Sequence, residues 1–258
     1  MLYAEERQRE ILDRVRQEGK VSVEELTEAL GVSAPTIRAD LGSLETRHLL
    51  RRTHGGAILP ETTLYEPPYA ERERARQSEK SRIGAAAAAM ICDHETVILD
   101  AGTTTFEIAK CLKKRVGLTV VTNSLEAAWE LMDSPPGCLE IIVIGGTVHA
   151  HRRATLGPLA TDFLANFHVD RVFLGVNGID PNSGYTVVDF DAAQVKRAMI
   201  ACAREVVVVA DSSKFGVSAF ASICPLSAAH ILVTDSTPTA DLVVALEKGT
   251  VDVIIAPE

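Results

Sequence analysis

Apolar residues in the first sixty positions recur at the spacing of short amphipathic helices. Ser22 and Glu25 have the spacing of a helix-capping box, and Gly31 interrupts the pattern before a third helix that Ser33 can cap. The pattern therefore predicts a helix over residues 7–18, a short helix after Ser22 and another after Ser33. The predicted inward-facing residues are Ile11, Leu12, Val15, Leu26, Ala29, Leu30, Ile37, Leu41 and Leu44.

The remainder of the chain changes to short apolar runs. Residues 49–59 predict a β-hairpin that completes a small winged helix-turn-helix domain over residues 1–60. Residues 61–80, with their prolines and alternating charges, predict a linker. A helix at 81–92 and helical stretches between later apolar runs predict a larger, Rossmann-like α/β domain over residues 81–258, with a largely parallel sheet. The predicted strands are 97–100, 118–121, 140–144, 171–175, 205–210, 230–234 and 251–255.

Composition agrees with this fold class and indicates where in the cell the protein is located. Hydrophobic residues make up 47% of the 258 positions but aromatic residues only 5%, a balance that suits buried parallel strands. The apolar run at 83–92 is too short to span a bilayer, and the polar start shows no secretory signal. Five scattered cysteines indicate reduced thiols in a cytoplasmic protein. We expect neither a metal nor a cofactor, and no membrane partner.

The net charge of −9 argues against nucleic acid as a partner if it is taken as a single sum. The first sixty residues, however, hold nine basic and ten acidic side chains, so the excess of acid lies in the remainder. Residues 33–58 contain four arginines against Asp40 and Glu45. A local basic surface in the predicted helix-turn-helix is therefore compatible with the acidic total.

The predicted third helix and hairpin carry the candidate DNA contacts. In this motif the third helix enters the major groove, and the hairpin grips the phosphate backbone or the minor groove. The candidates are Ser33, Thr36, Arg38, Arg51, Arg52 and His54. From the pattern alone, a small helical packing module with no nucleic-acid role explains these residues equally well.

Polar loops after successive predicted strands form a second candidate site. Backbone N–H groups at a strand-to-helix turn favour an anion, and ligands of such sheets collect at the carboxyl ends of the strands. Lysines offer a counter-charge. The candidate effector-binding residues are Asp100, Gly102, Thr103, Thr104, Thr105, Thr122, Asn123, Ser124, Gly145, Gly146, Asn177, Gly178, Lys196 and Lys214. Each loop alone is explained as an ordinary helix cap or turn, and Lys196 as a solvated surface lysine.

The motifs and their order resemble those of the DeoR (deoxyribonucleoside-regulator) family of bacterial repressors. The DNA-binding signature corresponds to VSAPTIRADL at 32–41 and LLRRTHGGA at 49–57. The sensor motifs correspond to residues 100–105, 121–124, 144–146, 170–175, 195–199 and 211–215. The resemblance implies a sensor fold similar to ribose-5-phosphate isomerase, and a phosphorylated effector bound near residues 102–105 and Lys214.

Three positions depart from the family pattern. Ala39 replaces the usual second arginine of the recognition helix, and His48 stands where a glycine commonly ends it. Ala192 occupies a position that is usually glutamate, with Asp191 immediately before it. The first change removes one DNA contact, and the last removes a hydroxyl contact unless Asp191 supplies it.

These expectations converge on a transcriptional regulator and not an enzyme. It would bind double-stranded operator DNA as a homodimer or tetramer and repress genes of carbohydrate or polyol catabolism until a phosphorylated sugar or polyol relieves it. An activator, or a regulator whose effector is a corepressor, fits the same residues. A sugar-phosphate isomerase is the alternative from another class; Asp100, Asp180, Asp189 and Asp191 would be its candidate bases, but none lies in a recognisable catalytic segment.

Overall fold

The computed structural model describes residues 3–46, 49–58 and 66–258 and divides into two compact units, residues 1–67 and 68–258. His48, the last position of the predicted hairpin and the first five positions of the predicted linker lie outside the described residues.

The first unit is a three-helix arrangement with a small antiparallel sheet. Its elements are α1 (Ala4–Glu18), β1 (Lys20–Ser22), α2 (Val23–Leu30), α3 (Ala34–Thr46), β2 (Arg51–Thr53) and β3 (Gly56–Ile58). The predicted capping box is present, since Ser22 accepts from the backbone N–H of Glu25 and Glu25 accepts from that of Ser22. Ile11, Leu26, Ile37 and Leu44 are buried together in one core, as their spacing predicts, whereas Ala29 is exposed and not inward-facing as predicted.

The sequence pattern missed β1, which pairs with β3 to give the order β1-β3-β2. Only four residues separate the end of α1 from α2, and β1 takes three of them. So short a strand shows no alternation that could distinguish it from a loop.

The second unit is a doubly wound α/β domain. Its helices are α4 (Tyr69–Arg74), α5 (Gln77–Ala89), α6 (Thr103–Leu112), α7 (Leu125–Met132), α8 (Pro158–Leu164), α9 (Phe190–Ala201) and α10 (Ala240–Lys248). Its strands are β4 (Thr96–Leu99), β5 (Leu118–Thr122), β6 (Leu139–Val143), β7 (Thr147–His149), β8 (Ala154–Leu156), β9 (Val169–Gly175), β10 (Gly178–Asp180), β11 (Gly184–Val187), β12 (Ala203–Val209), β13 (Ala221–Cys224), β14 (Ile231–Thr234) and β15 (Asp252–Ile255).

A seven-stranded parallel sheet forms the centre of this unit, with the order β15-β14-β12-β9-β4-β5-β6. Each predicted strand of the second domain corresponds to one strand of this sheet, and separate apolar clusters pack on its two faces. The chain runs outward from β4 to β6 and then returns to β9, beside β4. The carboxyl ends of β4 and β9 are therefore the topological switch point, where such sheets open a crevice.

Two smaller sheets and two helical segments differ from the sequence-based expectation. β7 pairs with β8, and β10, β11 and β13 form a separate antiparallel sheet. Part of the segment predicted as a linker is helical, because α4 lies within it and α5 begins at Gln77 rather than at residue 81. Tyr69 explains why α4 is fixed to the domain, since its side chain is only 3% exposed.

Among the described residues, no helix combines the length and the apolar character that crossing a membrane requires.

Gly84 allows α5 and α6 to pack closely. A Cβ at this position would lie 2.5 Å from Cβ and 2.8 Å from the carbonyl carbon of Glu107 on α6. Since α6 also begins at the switch point, the close approach helps to fix the loop that precedes it.

We predict that Gly84→Ala destabilises the second unit by about 1–3 kcal/mol, because the added methyl group must push the two helices apart. Gly42→Ala is the matched control: Gly42 is also helical, but a Cβ there meets only the end of Arg52 at 3.7 Å. The control should gain up to about 1 kcal/mol from helix propensity. Differential scanning calorimetry of both variants measures the effects, and a stabilised Gly84→Ala would contradict the close packing.

Candidate nucleic-acid interface and effector site

The turn before α3 is fixed by local hydrogen bonds. Gly31 ends α2 in the left-handed conformation, with φ of 64°. The hydroxyls of Ser33 and Thr36 are 2.9 Å apart and bond to each other, and the N–H of Ile37 donates to the carbonyl of Ser33 at 3.1 Å. These two predicted DNA-contact residues therefore shape the start of the recognition helix and remain at its surface.

Three predicted DNA contacts line one groove. Arg38 from α3 meets Arg52 and His54 from the hairpin around a groove of about 700 Å³, and all three side chains are exposed. Glu24 and Glu28 of α2 also line it. Arg51 precedes Arg52 on β2, so its side chain points to the opposite face of the small sheet.

Asp40, the acidic residue of the recognition helix, points away from this groove. It is 4% exposed and accepts hydrogen bonds from Arg7 at 2.5 Å and Gln8 at 3.1 Å. The hydrogen bond from Arg7 ties α3 to α1, and the carboxylate raises the pKa of the guanidinium. The negative charge is thus neutralised inside the unit.

Asp100 and Lys196 form a buried ion pair at the switch point. Asp100 follows β4, Lys196 lies on α9, and the two are 2% and 5% exposed. Asp100 also accepts from the N–H of Gly175 at 3.0 Å, while Lys196 donates to the Gly175 carbonyl at 3.0 Å. Lys196 was predicted as an effector contact, and its contacts here are to the protein.

The loop after β5 is held by its own side chains. Thr122 donates to the Leu99 carbonyl at 2.6 Å, and Ser124 caps α7 by accepting from the N–H of Ala127 at 3.1 Å. Asn123 accepts from the N–H of Ala101 at 2.8 Å and donates to the Thr155 carbonyl at 3.2 Å. Three predicted contacts therefore position the loops of the crevice.

The start of α6 has hydrogen-bond donors available for a ligand. Thr105 donates to the Gly102 carbonyl at 3.0 Å, which closes the first turn. Within the described part of the chain, the hydroxyls of Thr103 and Thr104 make no hydrogen bond to the protein, and the two residues are 7% and 9% exposed. The first N–H groups of a helix also lack intrahelical acceptors. This turn can bind an anion.

Two lysines provide positive charge on the β12 side. Lys214 follows β12 in a short 3-10 turn that Asp211 caps. Burial lowers the pKa of Lys80 on α5 to about 8, with Asp211 opposing the change and Lys214 adding to it. Although burial opposes it, Lys214 and Ser213 hold the pKa of Asp211 below its usual value.

The sequence reasoning missed Lys80 because it is the last position of the predicted linker. Arg76 was missed for the same reason. It contacts Asp211 at 3.3 Å and Asp235 at 2.8 Å, which ties the start of α5 to the ends of β12 and β14. The sequence pattern that could have identified them is an arginine and a lysine one helical turn apart, immediately before an apolar helix.

Gly146, Gly178 and Asn177 meet neighbouring backbone. A Cβ at Gly146 would lie 2.6 Å from the Leu156 carbonyl oxygen, and one at Gly178 would lie 2.1 Å from that of Val217. Gly145 has open space around it. Asn177 accepts from the N–H of Val188 at 3.2 Å, which joins the ends of β9 and β11.

Two further observations limit the chemistry. Ala192 is buried in the first turn of α9, whereas Asp191 is exposed. Among the residues described, no three His, Cys, Asp or Glu side chains are grouped closely enough to hold a metal ion.

Comparison with known families and proteins gives matches along nearly the whole chain. Residues 7–63 match the DeoR-like helix-turn-helix domain, and residues 75–236 match the DeoR C-terminal sensor domain. The chain is 34% identical to a putative aga operon transcriptional repressor of Escherichia coli O157:H7, over 98% of this chain and 94% of that protein. It is 35% identical to the transcriptional repressor GlcR of Bacillus subtilis (100% and 98% covered) and to the glycerol-3-phosphate regulon repressor of Escherichia coli K12 (92% of each).

Solved structures match the second unit more distantly. Ribose 5-phosphate isomerase A of Methanocaldococcus jannaschii gives a TM-score of 0.40 at 17% identity, covering 55% of each chain. The β subunit of eIF2B from Chaetomium thermophilum gives 0.45 at 14% identity, covering 67% of this chain and 54% of that one. Such weak likeness assigns neither protein's chemistry to this chain.

We predict that Lys196→Met lowers the free energy of unfolding by about 3–5 kcal/mol, because it leaves the Asp100 carboxylate buried without its counter-charge. Lys113→Met is the matched control, since the Lys113–Glu130 pair is 31% and 28% exposed and should be worth about 1 kcal/mol or less. Combining Lys196→Met with Asp100→Asn should recover part of the loss. Urea unfolding measures all three, and equal costs for Lys196→Met and Lys113→Met would contradict the pairing.

Proposed function

Because the chain belongs to the DeoR family of transcriptional regulators, we propose that it is a cytoplasmic repressor of carbohydrate or polyol genes that a phosphorylated sugar or polyol relieves. The chain is a regulator and not an enzyme. The observation that carries the proposal is that one chain contains both a DNA-binding unit and a candidate anion site. A winged helix-turn-helix with Arg38, Arg52 and His54 in one groove precedes a sheet whose switch point offers an anion site.

In the first unit, α3 enters the major groove and Arg38 contacts a guanine edge or a phosphate. Arg52 and His54 follow the backbone beside it, and Ser33 and Thr36 contribute at the start of the helix. One recognition helix reads too few base pairs for useful specificity, so two copies bind paired half-sites.

In the second unit, the effector's phosphate binds at the start of α6. The N–H groups of residues 103–105 and the hydroxyls of Thr103 and Thr104 donate to it, and Lys80 and Lys214 balance its charge. Asn177 and the loops after β5 and β6 enclose the polyol part. The relatives named for a glycerol-3-phosphate regulon and for the aga operon support this ligand class.

Relief of repression requires that the effector bind two conformations of the sensor with different affinity. A coupling of about 1–3 kcal/mol is typical of such regulators and changes operator affinity by about 5- to 150-fold.

We predict that Arg38→Ala weakens specific DNA binding by about 5- to 150-fold, equivalent to about 1–3 kcal/mol for one base contact. Arg14→Ala is the control, because Arg14 lies on α1 and pairs with Glu10. An operator fragment selected from random DNA serves as the target in a gel-shift assay, and thermal unfolding confirms that both variants fold. Unchanged affinity of Arg38→Ala would remove this residue from the interface.

We predict that a phosphorylated sugar or polyol raises the melting temperature of the full-length protein, by about 2.7 kcal/mol of stabilisation at one hundred times its dissociation constant. The probes are glycerol 3-phosphate, ribose 5-phosphate, other hexose and polyol phosphates and inorganic phosphate, with glycerol and ribose as uncharged controls. Lys214→Ala should weaken the response, whereas Lys248→Ala, an exposed lysine on α10, should leave it unchanged. No response to any phosphorylated probe would overturn the proposed sensor.

A further inference from the structure

Lys80 holds the end of the first helix of the second unit. Its ammonium donates to the carbonyls of Arg72 and Ala75, the latter at 2.7 Å, and the residue is 6% exposed. These carbonyls belong to the last turn of α4, where backbone oxygens lack intrahelical donors. A helix as short as α4 gains from such a cap because it has few internal hydrogen bonds of its own.

The same ammonium lies in the electric field of the proposed phosphate site. Asp211 and Lys214 at the end of β12, Glu107 on α6 and Arg72 on α4 are the charged groups that act on it. A phosphate placed between the start of α6 and Lys214 would attract Lys80 more strongly than two neutral carbonyls do, since the phosphate carries a net negative charge and the carbonyls do not.

The other end of α4 is anchored beside the loop of β5. Tyr69 is buried, with the guanidinium of Arg153 4.6 Å and that of Arg72 5.6 Å from its ring centroid. Arg153 pairs with Glu126 at 2.8 Å, and its carbonyl accepts from the N–H of Leu125 at the start of α7. Both attachments of α4 thus lead to loops of the crevice, and the helix also packs on α6.

We propose that Lys80 couples effector binding to the DNA-binding unit: it holds α4 when the crevice is empty, and it leaves α4 for the effector's phosphate when the crevice is filled. The inference rests on the proposed function. α4 begins two residues after Pro67, so its release changes the point at which the first unit is attached to the sensor. Lys80 acts as a positioning residue for α4 in one state and as a ligand contact in the other.

Amide hydrogen exchange of the full-length protein tests the coupling, read at the amides of residues 71–75. Binding of the strongest phosphorylated probe from the thermal panel should speed exchange there by about fivefold or more, the lower end of typical allosteric coupling. Lys80→Met keeps the aliphatic stem and removes the charge, so α4 should exchange rapidly with and without the probe. Lys113→Met, the matched surface lysine, should behave like the unchanged protein.

A second variant tests the coupling in the opposite direction, from α4 to the effector site. Tyr69→Ala loosens α4 without removing any group of the phosphate site. Coupling is reciprocal, so a variant whose α4 is already loose should bind the probe more tightly. The gain in affinity should equal the factor by which the probe speeds amide exchange in α4.

The outcomes separate the two proposals. If no phosphorylated probe binds, the proposed function fails and this inference fails with it. If a probe binds but exchange at residues 71–75 is unchanged, or if Lys80→Met protects α4 as well as the unchanged protein, the sensor stands and the coupling role of Lys80 is wrong.

Discussion

The buried ion pair between Asp100 and Lys196 is the interaction on which the architecture of the crevice depends. It joins the end of β4 to α9 and, through Gly175, to the end of β9. These are the two strands between which the chain reverses its winding. A buried charge without its partner is costly, so the pair restricts how β4, β9 and α9 can be arranged. Because the ends of β4 and β9 are fixed in this way, the positions of the loops that follow these strands are fixed as well.

The sheet was predictable because burial on both faces gives each strand an uninterrupted apolar run. The winged helix-turn-helix was predictable from helical spacing and one capping box. β7, β8, β10, β11 and β13 were not, since they are three or four residues long and none is a continuous apolar run. Their omission left the walls of the crevice undefined.

The candidate site was predictable in location but less so in the role of each residue. Loop positions follow from the strands, so residues 100–105 and 122–124 were placed correctly at the carboxyl edge of the sheet. Sequence cannot show whether a polar side chain faces a ligand or a neighbouring backbone, and Asn123, Ser124 and Lys196 all contact the protein. Lys80 was not predicted because its contacts are to α4, and the sequence of α4 contains no apolar run that would have predicted a helix.

The burial of Asp40 has a consequence for how the first unit responds to ionic strength. The unit has nearly balanced charge, its recognition helix has alanine at position 39, and Arg7 is committed to Asp40 inside the fold. Arg7 is therefore not available to displace counterions from phosphates, and position 39 supplies no charge. Affinity for DNA should fall less steeply with rising salt than it would if both positions presented a free arginine. Base contacts would then carry a larger share of the discrimination between sites than a general attraction to the duplex does.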